Sequence, residues 1–301
     1  MNGYFAAALA VAIWAAYPVA TRAAVTGAFS APELIALRFG IAGLLFMPYL
    51  ALRWRSIGRA AWLRGLPLTL FQGAGMGALV ICGLQFAPAT HQAALGPGVS
   101  PAWVALLGFV VLARRPCARV IIGGALCATG VLALAGWSVA APSAAVLAGD
   151  AMFLGASALG ALYVLQLRNW GVGVMQGAAI VSLYSALVVV PWYLCSAGEL
   201  SLSRVAPAEL AWQALWQGVL IGCVSLIALN QAIARLGAER SSACVAVVPV
   251  LSAMLALIFL GEVPSPVEVA AFVVISAGVS IAARSGRAAF RPAARQLPAR
   301  S

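Results

Sequence analysis

Long apolar stretches alternate along this chain with short breaks where arginine, proline and glycine gather, and the stretches far exceed a strand or one face of an amphipathic helix. A helix needs roughly 20 predominantly apolar residues to cross the hydrocarbon core of a bilayer. Reading from break to break predicts ten such spans: Tyr4 to Ala24, Pro32 to Leu52, Gly65 to Phe86, His91 to Ala113, Ala118 to Trp137, Ala145 to Leu167, Gly173 to Cys195, Trp212 to Ala234, Ser241 to Leu260 and Pro266 to Ala283. The first lacks a preceding basic segment and many equally apolar segments follow it, so it reads as a retained span and not a cleaved leader.

Composition fixes the solvent. With 64% hydrophobic and 8% charged residues over 301 positions and a mean hydropathy of +1.03, there is too little charge to cover a water-soluble fold. The expected class is an all-α integral membrane protein. The net charge of +11 comes entirely from arginine on the basic side, and its placement is informative. With ten spans, Arg53, Arg55, Arg59, Arg64, Arg114, Arg115, Arg119, Arg168, Arg235, Arg240 and the tail arginines fall on one face, while Arg22 and Arg204 fall opposite and Arg38 lies within a span. The positive-inside bias then places both termini in the cytoplasm, in a cell membrane of the bacterial inner-membrane kind. The tail RSGRAAFRPAARQLPARS reads as topogenic and lipid-facing; no nucleic-acid-binding fold accompanies it. The six cysteines form no CxxC pair, and neither disulfide, metal nor cofactor is expected.

The chain repeats itself. At a constant offset of 148, Pro101 meets Pro249, Pro116 meets Pro264 and Gly130 meets Gly278; AIWAAYPVATR aligns with ALGALYVLQLR so that Tyr17 meets Tyr163. The halves are a first five-helix repeat over 1–140, a second over 141–284 and a basic cytoplasmic tail over 285–301. Because five is odd, the second half starts on the opposite face. The expected fold is therefore ten transmembrane helices as two inverted five-helix repeats, an arrangement that places a central site at the repeat interface.

These features resemble the EamA-type members of the drug/metabolite transporter superfamily. The resemblance spans nearly the whole chain and rests on AIWAAYPVATRAAV, PELIALRFGIAGLLF, GLQFAPATHQAAL and, most specifically, PVLSAMLALIFLGE ending at Gly261 and Glu262. In the first repeat the Gly-Glu position reads Ala113 and Arg114, a departure from the pattern. The resemblance implies a carrier of small metabolites, commonly amino acids or other organic compounds, often exported.

Candidate substrate contacts follow from the physics of polar groups in lipid. Helix breaks free backbone carbonyls that only protein or water can satisfy, so Gly96, Pro97, Gly98 and Pro101, with Pro249 in the second half, are expected against a central cavity, the competing reading being a plain structural kink with small residues for close packing. Trp14 and Tyr17 share one helical face, Tyr163 repeats the position in the second half, and Trp103 follows the kinked stretch; together they could stack on a flat or amphipathic substrate, the alternative being interfacial anchors. Gln72, Gln85, Tyr184, Gln217 and Asn230 are polar groups that need either another helix or a ligand. Arg38 lies seven residues into helix two, whose start Ser30 and Glu33 would fix as a capping box. Pairing with Glu33 or with carbonyls is its structural reading and a ligand carboxylate the functional one. His91 reads as an interfacial helix-start cap, against the alternative of a buried proton relay. Asp150, Glu262 and Glu268 lie near interfaces, where structural roles are expected.

No HExxH, GxSxG or buried acid pair supports a membrane-embedded enzyme, and no catalytic residue is assigned. The absence of lysine and the single in-span arginine disfavour phosphorylated sugars. The expected function is a secondary transporter, with export as the direction, of small neutral, zwitterionic or weakly cationic metabolites such as amino acids. It would work by alternating access about a cavity lined mainly by helices one to four and six to nine. Helices five and ten would be peripheral, at the contact of a homodimer if one forms. A non-transporting structural or regulatory membrane protein is the alternative.

Overall fold

Backbone N–H and C=O groups find no water in hydrocarbon, so each apolar stretch must satisfy its own, which a helix does. The computed structural model describes residues 2–111, 115–140, 143–196, 205–236, 241, 244–245, 247–284 and 290–291. Its helices are α1 (Gly3–Val25), α2 (Ala31–Arg53), α3 (Arg59–Gln72), α4 (Ala74–Phe86), α5 (Ala89–Leu95), α6 (Ser100–Val110), α7 (Ala118–Ala140), α8 (Ala144–Asn169) and α9 (Val174–Ser196). A rod from Pro207 to Leu236 follows, made of α10 (Pro207–Gln213), a π-helical stretch (Ala214–Val224) and α11 (Ser225–Leu236); α12 (Val248–Leu260) and α13 (Pro266–Ala283) complete the set. The non-helical pairing among the described residues is a two-residue antiparallel ladder between Arg115–Pro116 and Phe290–Arg291.

Among the described residues six helical runs are long and apolar enough to cross a bilayer, with α3–α4 and the Pro207–Leu236 rod each counted as one, and three shorter apolar helices accompany them. The ten expected spans thus do not appear as ten unbroken helices. Expected span four is divided into α5 and α6, since Gly96 and Pro97 end one helix and Pro101 opens the next. Expected span three bends at Gly73, where a Cβ would collide with Ser185 Oγ, and Ser185 of α9 accepts the Ala74 N–H at 3.1 Å. The expected basic tail lies mostly outside the described residues.

The Ser30/Glu33 capping box is present at the start of α2, with Glu33 Oε2 accepting the Ser30 N–H at 2.6 Å. A second box, Ser265 with Glu268, opens α13.

Pairing of helices crosses between the halves. α2 packs on α9, α4 on α8, α1 on α11 and α12, α5 on α12, and α7 on α13. The last pair shows the relationship most clearly. A Cβ on Gly123 would stand 2.5 Å from the Gly278 carbonyl, one on Gly130 would stand 3.0 Å from the Ala271 carbonyl, and the Cys127 thiol meets the Ile275 carbonyl oxygen at 3.7 Å. Positions rise along α7 as they fall along α13, so these helices are antiparallel. Cys127 and Ile275 are also separated by 148, the offset of the sequence repeat. Small residues let the two backbones approach this closely, in the manner of membrane helix pairs. A Cβ on Gly124 would likewise stand 3.2 Å from Ala102 Cα of α6.

A candidate substrate cavity at the repeat interface

Between the halves lies a cavity of about 390 Å³. α1 contributes Trp14 and Tyr17, α2 Arg38 and Phe39, α4 Met76 and Val80, with Gln72 just before the bend. The break between α5 and α6 contributes Gly96, Pro97 and Ser100, preceded by Gln92; α8 contributes Phe153, Ser157 and Tyr163; α9 gives Ser182 and the rod gives Ser225. α7 and α13 stay outside this wall, as expected for helices five and ten.

The wall is aromatic and apolar with a few directed polar groups, the composition of a small-molecule site. Arg38 is its one charged side chain among the described residues, and no carboxylate faces the space. Its Nη1 donates to the Tyr17 hydroxyl at 2.7 Å, and the guanidinium carbon lies 5.2 Å from the Tyr17 ring centroid and 5.6 Å from that of Phe39. Arg38 therefore pairs neither with Glu33, whose carboxylate is turned to the cap, nor with a backbone carbonyl as expected, but with an aromatic hydroxyl. The phenol leaves the cation largely uncompensated and the rings shield it from lipid. At the helix break, Ser157 donates to the Gly96 carbonyl at 2.6 Å, satisfying a group freed where α5 ends.

Beyond the cavity wall, on the side of Gln92, charged groups tie the halves together. Arg22 at the end of α1 meets Glu262 at 2.7 Å and donates through Nη1 to the Leu84 and Ala87 carbonyls, the unsatisfied end of α4. Glu262 in turn accepts the Ala89 N–H at 3.0 Å, capping α5. Beside it His91 places Nδ1 2.8 Å from Asp150 and Nε2 2.8 Å from Glu268. These contacts join α1, α4 and α5 of the first half to α8, the α12–α13 connection and α13 of the second. At the opposite end Arg64 donates to the Trp170 carbonyl and Arg119 to the Arg284 carbonyl, contacts near the surface.

Of the thirteen residues singled out from sequence, Trp14, Tyr17, Arg38, Gln72, Pro97 and Tyr163 are brought together on the cavity wall. Six of the others lie elsewhere, and the Pro101 side chain lies outside the described residues. Gln217 is buried and donates to Thr21 Oγ1 at 2.9 Å, tying the π-helical stretch to α1. Tyr184 packs on Trp62 and donates to its carbonyl at 3.3 Å. Trp103 packs against the core, Gln85 is exposed, Asn230 is half-buried on α11, and Pro249 is buried in the first turn of α12. Pro101 sits in the first turn of α6. Gly96 lines the cavity, whereas a Cβ on Gly98 would meet the Ala94 carbonyl and Ile275. His91 is the clearest correction: it is 2% exposed and held by two acids, not an interfacial cap. Gln92, Ser157, Ser182 and Ser225 were not foreseen, because serines and a glutamine in apolar helices carry no signal of direction until the helices are packed.

A polytopic α-helical protein with a shielded cavity between two interlocked halves is the architecture of a membrane carrier. The sequence model of the EamA-like transporter family matches residues 1–136 and 147–284, nearly the whole chain in two segments, and the chain belongs to that family, within the drug/metabolite transporter superfamily. It is a multi-pass membrane protein of a family that moves small molecules. A solved structure, described only as the crystal structure of a protein, superposes with a TM-score of 0.58 at 19% identity over 95% of this chain and 98% of that one, a likeness of fold alone. No curated protein matches.

Proposed function

We propose that this protein is a secondary transporter that exports amino acids and related small zwitterionic or neutral metabolites by alternating access. The observation that carries the reading is the cavity itself. Its single guanidinium, unmatched by any carboxylate among the described lining residues, suits a substrate carboxylate, and the rings of Trp14, Tyr17, Phe39 and Tyr163 suit an apolar body or an ammonium group. One cation is too little to replace the hydration of a phosphate dianion. The two halves are read as inverted repeats: the antiparallel crossing of α7 and α13 at equivalent positions supports this, and ten spans follow if α5 and α6 together count as one. The arginine distribution supports a reading with both termini on the cytoplasmic side of a bacterial inner membrane, in which the end that carries Arg22 and Glu262 is the outer one.

Thermal unfolding of detergent-purified protein against amino acids, their amides, nucleosides, polyamines and lipophilic cations tests the substrate class, since a ligand at a hundredfold its Kd adds about 2.7 kcal/mol to apparent stability. Stabilisation by amino acids is expected. Counterflow of the stabilising compound in liposomes then separates transport from a purely structural role; binding without counterflow would favour the latter.

A further inference from the structure

Proton counting at His91 leads beyond this reading. A neutral imidazole carries one N–H, yet both ring nitrogens face a carboxylate oxygen at 2.8 Å, and an ionised carboxylate can only accept. Two favourable contacts therefore need one proton more than neutral histidine with two carboxylates supplies, held on the ring or on one of the acids. The site is closed to solvent: side-chain exposure is 3% for His91, 8% for Asp150 and 13% for Glu268. Glu268 is also held in place, because its Oε2 accepts the Ser265 N–H of the capping box while Oε1 faces His91.

Among the described residues, the elements around α5 bring four charged groups to this end. Arg22 comes from α1 and Glu262 from beyond α12, and these two pair with each other at 2.7 Å; Asp150 comes from α8 and Glu268 from α13. His91 belongs to the first half of the chain and both its acids to the second, so the proton sits across the seam that alternating access must open. The next residue, Gln92, lines the cavity.

We propose that His91, Asp150 and Glu268 form a proton-binding site that latches this end of the bundle shut, and that the proton is the ion exchanged for the carried metabolite. The inference rests on the transporter reading for its second half. With the proton bound, both contacts are charge-assisted and the halves are tied. When it leaves toward the cavity, one contact sets a nitrogen lone pair against a carboxylate in a site shielded from water, and the tie weakens. Opening releases the metabolite outward and readmits a proton from outside, which closes the end again. One proton enters for each metabolite that leaves.

His91 is the sole histidine, so full-length protein bearing ¹⁵N-histidine and no polyhistidine tag gives a ring-nitrogen spectrum of this site alone. Two protonated ring nitrogens, or one shared with an acid, are expected at neutral pH. As pH rises and that proton is lost, hydrogen exchange over Ala89–Leu95, divided at each pH by the intrinsic base-catalysed rate, should speed roughly tenfold, within the usual range of coupling between sites. Asp150→Asn and Glu268→Gln, each removing a negative charge that holds the proton, should move that acceleration toward acid; His91→Gln should abolish its pH dependence. A ring that titrates without any change in exchange, or exchange that accelerates equally in His91→Gln, would overturn the latch. In liposomes loaded with a radiolabelled amino-acid mixture, an imposed pH gradient should drive efflux in the wild type and not in His91→Gln, while gradient-free counterflow persists in both. Counterflow indifferent to the gradient and to His91 would sink the proton exchange and leave the transporter reading standing. No counterflow at all, with the pH-dependent opening intact, would sink the transporter reading and the exchange together.

Discussion

The Arg38 guanidinium lies 2.7 Å from the Tyr17 hydroxyl and over the Tyr17 ring, a cation held at the cavity wall by a group that carries no countercharge. Tyr17 can position the guanidinium without neutralising it, so the charge remains free for a substrate carboxylate. Arg38→Gln is expected to remove the thermal stabilisation given by amino acids and to spare any smaller effect of amino-acid amides, which lack the carboxylate. Melting curves of the two proteins with both ligand classes check this. Equal stabilisation of wild type and variant by amino acids would mean that the carboxylate does not reach Arg38. Tyr17→Phe, which removes the hydroxyl and keeps the ring, should cost about 1 kcal/mol of stability, the net worth of one hydrogen bond.

Ser185 is buried on α9 and accepts the Ala74 N–H where α3 gives way to α4. Ser185→Ala leaves that N–H without its acceptor at a buried site, and should cost about 1–3 kcal/mol. Gly73→Ala is expected to be at least as damaging, since its Cβ would strike Ser185 Oγ and stand 2.6 Å from the Thr69 carbonyl. Thermal denaturation in detergent compares both with wild type, and a neutral Ser185→Ala would show that the bend does not depend on this contact.

The Gly123–Gly278 crossing predicts an asymmetry between a tightly packed glycine and a loosely packed one on another helix. Gly123→Val places carbons against the Gly278 carbonyl and Ala282, and overpacking of this kind costs about 1–3 kcal/mol. Gly155→Ala, where the nearest atom to a new Cβ is Leu79 Cδ1 at 3.5 Å, should be tolerated. Expression level and melting temperature of the pair separate the two; equal loss at both sites would contradict the packing.

Arg22 and Glu262 offer a thermodynamic cycle. Their side chains are 21% and 18% exposed, so part of the charge is screened by solvent and the effect falls below that of a fully buried pair. Arg22→Ala should cost about 1–3 kcal/mol, because it strands the Leu84 and Ala87 carbonyls as well as Glu262. The double variant should lose less than the sum of the singles, as residues sharing a network do. Additive losses would mean that the two act on the α4 and α5 ends independently.

What the sequence determined by itself was the solvent of each segment. Hydropathy is local: twenty apolar residues between arginines belong in lipid whatever packs against them, so the all-helical membrane class and the two-repeat arrangement could be read from the chain alone. The break after Leu95 was legible for the same reason, since Gly96, Pro97 and Pro101 act on their own backbone. Direction was not legible. In an apolar helix every face is apolar, and nothing in the spacing distinguishes Tyr163, which reaches the cavity, from Tyr184, which leans on Trp62. Only packing across the seam decided that Asp150, 59 residues from His91, and Glu268, 177 residues away, would meet one imidazole. In lipid a polar side chain must find its partner wherever the fold supplies one, and that search runs through space without regard to sequence distance.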